Sequence, residues 1–444
     1  MRVVFASHGS LGDLVPFLEV GKVLVRRGHH VRVATHAAHW EAVRSAGLDF
    51  APMRPDRPAD AAFHARFMDP LRGPAFIFRD VLAPAIGDSV ADLTATVADA
   101  DVLVSVTLAL AAPIVAEATG VPWRSAVFQP AMLWSAVDPP RLPLLPFVRG
   151  APGWNRRVLH YAQEGVADWA LPIARYRAAH GLAPLAAHPA FAGQHAPGGV
   201  LALYSPLFGT LPADAPPGTL QTGQILQTSQ VLQTGQVLQT GNVLQTGQEA
   251  LETGAAVLPA AVERFLDAGP PPLVFTLGSA SAHAARGFFR DSARAARRLG
   301  MRALLLVGRE ENLAGLPLGD DVAAATTLPY EAVFPRAAAI VHQGGIGTIA
   351  LSLAAGRPMV LVPFAHDQPD NAARAVRLGV ARCVPRRLYG ALAAPAIAAV
   401  LADEAMHARA AAVGAAIRAE RGAEIAADAI LAASAGMAKV QETS

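Results

Sequence analysis

With 444 residues, 52% hydrophobic and 16% charged, the chain is long enough for two or three domains that each bury a core. Its 37 basic against 35 acidic residues leave a net charge of +2, without the clustered charge of a nucleic-acid-binding surface. A single cysteine, Cys383, excludes a disulfide framework and a thiolate metal cluster, points to a reducing, cytoplasmic compartment, and is expected as a buried structural thiol.

Strands and helices alternate from the start. Arg2 to Ser7 reads as a strand, Gly9 to Asp13 as a glycine-rich turn, Leu14 to Arg27 as a helix stopped by Gly28, and Val31 to Thr35 as a second strand. The pattern is a βαβ opening of Rossmann type. Asp101 to Val106 is the next strand, then a helix from Ala111 to Thr119 ended by Gly120, then the strand Trp123 to Phe128. The apolar run Val102 to Ala118 carries Ser105, Thr107, Pro113 and Glu117, so it reads as a buried strand and helix; a membrane span needs about 20 apolar residues. Val3 to Ala6 is too short for a signal peptide. Phe63, Phe67, Phe76 and Phe78 accompany Pro-rich loops, and Trp134, Trp154, Tyr161 and Trp169 follow; these aromatics read first as core, with an apolar pocket at strand ends as the alternative.

From Leu220 the hexad Leu-Gln-Thr-Gly-Gln-Ile recurs from Leu226, Leu232 and Leu238, and a further copy from Leu244 decays by Leu251. The copies are too few to stack into a β-helix with a core, so the segment is expected to be a linker expanded by low-complexity repetition, flexible or weakly paired. The second half repeats the strand and helix alternation: a helix from Ala260, the strand Leu273 to Leu277 with the small turn Gly278 to Ser281, the strand Arg302 to Val307, and Asp321 to Thr327 before Leu328-Pro329.

Ala338 to Leu378 forms a pair of βα units. Ala338 to His342 is a strand, Gln343 to Gly347 a glycine turn delivering Thr348 to a helix, and Met359 to Pro363 a strand leading to His366, Asp367 and Gln368, before Asp370 caps a helix. Exposed amides and the positive end of a helix dipole favour a phosphate at the first turn, and the polar side chains of the second suit hydroxyls. These residues favour a phosphorylated, hydroxyl-rich ligand.

His342-Gln-Gly-Gly-Ile-Gly-Thr348, Gly356-Arg-Pro and His366-Asp-Gln-Pro-Asp-Asn371 resemble the donor-binding signature of nucleotide-sugar glycosyltransferases of GT-B fold, in the family that glycosylates small lipophilic molecules. Gly9-Ser-Leu-Gly-Asp-Leu-Val-Pro16, with Gly28-His29, resembles the N-terminal turn of its bacterial antibiotic and sterol branches. The resemblance implies an α/β protein with two Rossmann-like domains facing across a cleft: an acceptor-binding domain over 1–208, a linker over 209–259, a nucleotide-sugar-binding domain over 260–415, and a C-terminal helix and tail over 416–444. By it, His342, Gly344, Gly345, Gly347 and Thr348 hold the donor diphosphate, and Ser279 adds a hydrogen bond from the other side. Asp367 and Gln368 bind sugar hydroxyls, and Leu328 stands where the backbone recognises the base.

The activity implied is a single inverting displacement, needing no metal or other cofactor, from a UDP- or dTDP-sugar to a small hydrophobic acceptor. Asp13 occupies the general-base position, with a helix cap as its alternative reading, and His8 is the second candidate; Thr107 stands where an acidic partner for a histidine is wanted. Asp99-Ala-Asp101 precedes a strand, at the wrong end of the sheet for a metal site, and His29, His30, His36 and His39 read as surface or packing residues. A monomer or homodimer is expected. The competing functions are an epimerase or hydrolase of the same fold and a non-catalytic nucleotide-sugar-binding subunit.

Overall fold

The computed structural model describes residues 1–56, 58, 60–143, 150–227, 258–285 and 287–441. They fall into two compact units, Met1–Leu226 with Glu420–Ser444, and Gln227–Ala419.

The first unit is a parallel sheet of β1 (Arg2–Ala6), β2 (His30–Thr35), β3 (Asp49–Pro52), β4 (Val102–Val106), β5 (Trp123–Val127), β6 (Val200–Ala202) and β7 (Leu220–Gln221). Its strand order is β3-β2-β1-β4-β5-β6-β7. The second is a parallel sheet of β8 (Leu273–Thr276), β9 (Ala303–Leu306), β10 (Val322–Ala325), β11 (Ala339–His342), β12 (Met359–Leu361) and β13 (Ala381–Cys383), in the order β10-β9-β8-β11-β12-β13. Short runs such as Val-Leu-Val-Ser-Val in β4 are buried along their whole length, as strands covered by helices on both faces must be. In each sheet the order reverses beside the first strand, between β1 and β4 and between β8 and β11. Ligands of open parallel sheets bind beyond the strand C-termini at that reversal.

The first helix runs Leu11–Arg26, three residues earlier than expected, because Ser10 and Asp13 form a capping box that starts it inside the glycine-rich turn. Phe17 on this helix stacks on Phe5 at 4.6 Å and meets the edge of Phe128 at 5.4 Å, contacts worth about 0.5–1.5 kcal/mol each beyond their burial. Gly120 ends the helix Ala112–Thr119 in the left-handed conformation, φ 72°. Phe63 and Phe67 lie on a helix, Ala61–Phe67, which Asp60 caps by accepting the Phe63 N–H at 2.6 Å, and not in an open loop. Phe76 and Phe78 are buried in the π-helical turn that follows, so these aromatics build core.

The first hexad copy is folded into the sheet and is not a loose linker. Leu220–Gln221 pairs with β6, the Gln221 carboxamide donates to the carbonyls of Tyr204 and Gly209, and the Thr222 N–H donates to Ala202 O. The later copies, over 228–257, lie outside the described residues. The chain returns to the first unit at Glu420, whose carboxylate accepts from Ser205 Oγ and from the Gln224 N–H, both at 2.5 Å. The terminal helix Gly422–Gln441 then packs on Leu11–Arg26, with Arg27 and Asp428 paired at 2.6 Å.

Cys383 is exposed, contrary to its expected burial, because β13 is the edge strand of its sheet. No single helix among the described residues is long and apolar enough to cross a membrane.

Candidate active site

In the second unit, β8 and β11 are neighbours, so the turns that follow them lie side by side. The helix Ile346–Ala354 begins directly after the second turn, with Gly345 as its N-cap and no capping side chain. Its first backbone bond joins Ile349 N–H to Gly345 O at 2.9 Å, so the amides of Ile346, Gly347 and Thr348 have no acceptor within the helix. Such an end is able to bind an anion, and Gly344, at φ 88°, supplies the left-handed step that aims the chain into it.

His342 lies beneath this turn. It is fully buried, its Nδ1 accepts the Gly344 N–H at 3.1 Å, and its Nε2 faces Met359 Sδ at 3.4 Å and Ser352 Oγ at 3.5 Å. Burial pushes its pKa down to about 3, so the ring is neutral and shapes the turn through the backbone.

Gln343 was not singled out in the sequence, where it reads as a turn filler. Its side chain fills the space between the two turns: a Cβ added at Gly278 would lie 2.6 Å from Gln343 Nε2, and one at Gly345 would lie 2.8 Å from the same atom. Gln343 is 5% exposed, and its Oε1 has no hydrogen-bond partner among the described residues. Gly278 has φ 62°, and Thr348 Oγ1 lies 3.5 Å from its added Cβ, so the turn carrying Ser279 meets the start of the helix.

The turn after β12 closes over the same place. Asp367 precedes the helix Gln368–Arg377, which starts two residues before the expected cap at Asp370. Asn371 Nδ2 donates to Gly344 O at 3.0 Å and to Asp367 Oδ2 at 2.5 Å, joining the two turns; its only sequence signal is its place at the end of the motif. The Gln368 carboxamide oxygen accepts the N–H groups of Phe364 and Ala365 at 2.7 and 3.1 Å, and its nitrogen donates to Ser281 Oγ at 3.1 Å. Gln368 therefore braces the loop, with one of its two N–H bonds left over. Asp370 instead forms a buried pair with Arg374 at 2.6 Å. Leu328 is packed in the core, which leaves its backbone as the group able to meet a ligand.

In the first unit the corresponding turn follows β1. Asp13 Oδ2 accepts the Ser10 N–H at 2.6 Å and the Ser10 hydroxyl at 2.9 Å, and the Asp13 side chain packs directly on Gly9, where an added Cβ would lie 2.4 Å from Oδ2. Asp13 is only half-buried, whereas His8 is 2% exposed. His36 and His39, expected at the surface or in packing, are buried against this turn, each with Nε2 3.3 Å from Gly9 O. Asp99 and Asp101 stand at the opposite end of the sheet, where Asp99 pairs with Arg2 and Arg32 and Asp101 accepts the Arg2 N–H.

Comparison with known proteins bears on the fold and the family. Residues 3–137 match the glycosyltransferase family 28 N-terminal domain, and residues 304–432 match the C-terminal domain of erythromycin biosynthesis protein CIII-like proteins. The O-mycaminosyltylonolide 6-deoxyallosyltransferase of Streptomyces fradiae is 31% identical over 444 aligned residues, covering 96% of this chain and 95% of the relative. Among solved structures, the glycosyltransferase of kitacinnamycin superposes with a TM-score of 0.69 at 22% identity, over 97% of this chain and 98% of that one. The glycosyltransferase VinC in complex with dTDP superposes with a TM-score of 0.66 at 20% identity, over 98% of this chain and 99% of that one. Two Rossmann-like units in this order are the GT-B fold, and the chain belongs to the GT-B family of antibiotic and sterol glycosyltransferases.

Proposed function

We propose that this glycosyltransferase moves a sugar from a nucleoside diphosphate, UDP or dTDP, to a hydroxyl of a small hydrophobic natural product by one inverting displacement. The observation that carries the donor assignment is the helix end at Ile346 to Thr348, whose amides have no acceptor within the helix, built against the Gly278 turn. Three amides there meet the diphosphate, and their partial positive charge stabilises it as it leaves. Gly344, Gly345 and Gly347 keep the approach open, and His342 holds their shape. Ser279 follows the adjoining turn as a further donor, Leu328 offers its backbone to the base, and Asp367 with the remaining N–H of Gln368 meets the sugar hydroxyls. VinC was solved with dTDP, which favours dTDP as the nucleotide, and the Streptomyces fradiae relative is named an O-mycaminosyltylonolide 6-deoxyallosyltransferase, which favours a deoxysugar donor and a natural-product acceptor.

In the first unit Asp13 takes the acceptor proton through Oδ1, since Oδ2 is held by Ser10. His8, more deeply buried, is the second candidate. As the acceptor oxygen attacks the anomeric carbon, the bond to the diphosphate breaks and the proton passes to the carboxylate. No step in this scheme uses a metal ion, so turnover is expected to survive a chelator.

The test is a mass-spectrometric screen of UDP- and dTDP-sugars against macrolide, phenolic and sterol acceptors, with NMR of the product's anomeric configuration. Transfer with inversion supports the proposal. Donor consumption without acceptor would instead indicate an epimerase or hydrolase, and donor binding without any turnover an auxiliary subunit.

A further inference from the structure

We propose that His36 and His39 are positioning residues of the transfer reaction: together they hold the Gly9 carbonyl and so set the turn that presents Asp13. This rests on the reading of Asp13 as the base. The two histidines are the ends of a single 3₁₀ turn, Ala37–His39, with His36 as its N-cap, and residues three apart in such a turn eclipse one another. Their rings accordingly lie 4.0 Å apart between centroids.

Each ring sends Nε2 to the same oxygen at 3.3 Å. A carbonyl only accepts, so each Nε2 must carry its proton, and the two lone pairs of Gly9 O accommodate both. Both rings are buried, at 5% and 9% exposure, which makes this a fixed clamp from the end of β2 onto the end of β1. Gly9 has the clamp on its carbonyl and the Asp13 side chain on its Cα, where an added Cβ would come within 2.0 Å of Asp13 Cβ. A shift of the Gly9 peptide therefore moves the carboxylate. Ser10 cannot hold it alone, because Ser10 travels with the same turn.

The test compares His36→Phe/His39→Phe, which keeps two flat rings but removes both donors, with His36→Gln/His39→Gln, whose amides restore an N–H at similar reach. In the wild-type background the phenylalanine pair is expected to lower kcat by roughly ten- to a hundredfold with the donor KM little changed, and the glutamine pair to recover most of it. In an Asp13→Asn background the phenylalanine pair should cause no further loss, because its effect passes through that side chain. The proposal is overturned if the phenylalanine pair stays within twofold of wild type, if glutamine restores nothing, or if the loss is equal in both backgrounds. Should the phenylalanine pair fail to fold, the single His39→Phe variant, which leaves the His36 bond, is read by the same criteria. Wild-type turnover in Asp13→Asn alone would defeat the base assignment and this role of the clamp with it, whereas a strong loss in Asp13→Asn with none in the phenylalanine pair would overturn the clamp and leave the base assignment standing.

Discussion

His342 Nδ1 accepts the backbone N–H of Gly344 at 3.1 Å, which ties the ring to the first glycine of the turn after β11. Only an unprotonated Nδ1 can accept that bond, and burial keeps the ring neutral, with its pKa pushed down to about 3. The unfolded chain takes up this proton near pH 6.5, so between that pH and about 3 the unfolded state binds more protons and stability falls as pH falls. His195, lowered to about 4 by burial, acts in the same direction. Urea unfolding at pH 7 and pH 5 should show a loss of about 1–2 kcal/mol per histidine in the wild type. His342→Gln should be less stable at pH 7 yet lose less on acidification. An unchanged pH slope in that variant would sink the neutral-ring account.

Gly278 makes a second prediction. With φ 62° and Gln343 Nε2 2.6 Å from an added Cβ, Gly278→Ala must both strain the backbone and push the carboxamide out of its place between the turns. We expect a stability loss of about 1–2 kcal/mol and at least about tenfold weaker dTDP or UDP binding by calorimetry. Gln343→Ala removes the carboxamide without the strain, so it should weaken binding while leaving the melting temperature nearly unchanged.

The alternation of strands and helices was legible because β-branched runs, glycine stops and helical spacing are local signals. The glycine turn after β11 was legible for the same reason: His342 to Thr348 is one continuous stretch between a strand and a helix. What escaped depends on distant neighbours. Gln343 matters because β8 lies beside β11, which brings Gly278 against it; nothing in its own surroundings announces that. His36 and His39 looked unrelated until a 3₁₀ turn placed them ring on ring. The first helix was expected to start later because Gly9 to Asp13 reads as a glycine-rich turn, although Ser10 and Asp13 have the spacing of a capping pair. Cys383 was misplaced because edge position is a property of the whole sheet.

The capping role of Asp13 gives a way to separate structure from chemistry. Asp13→Asn keeps an oxygen that can accept the Ser10 N–H and hydroxyl, so the helix Leu11–Arg26 should stay capped and the melting temperature stay near wild type. As an amide it cannot take a proton, and kcat should fall by roughly 10²–10⁴-fold if Asp13 is the base. Asp13→Ala should add a stability loss of about 1 kcal/mol from the broken cap. Retention of kcat in Asp13→Asn with its loss in His8→Ala would transfer the role to His8.

The buried Asp370–Arg374 pair should be a sensitive point of the second unit. Both side chains are 2% exposed, one helical turn apart, and bonded at 2.6 Å on the helix that also carries Gln368 and Asn371. Removing one partner leaves the other charge buried without this counter-charge, a penalty of about 3–5 kcal/mol. Arg374→Met should therefore destabilise strongly, whereas Asp370→Leu/Arg374→Met, which removes both charges, should recover much of the loss. Because Asn371 joins Gly344 to Asp367, loosening this helix should also weaken nucleotide-sugar binding in the single variant. Urea unfolding and donor titration of the three proteins check both effects; a double variant no more stable than Arg374→Met would mean that the cost comes from lost packing and not from a stranded charge.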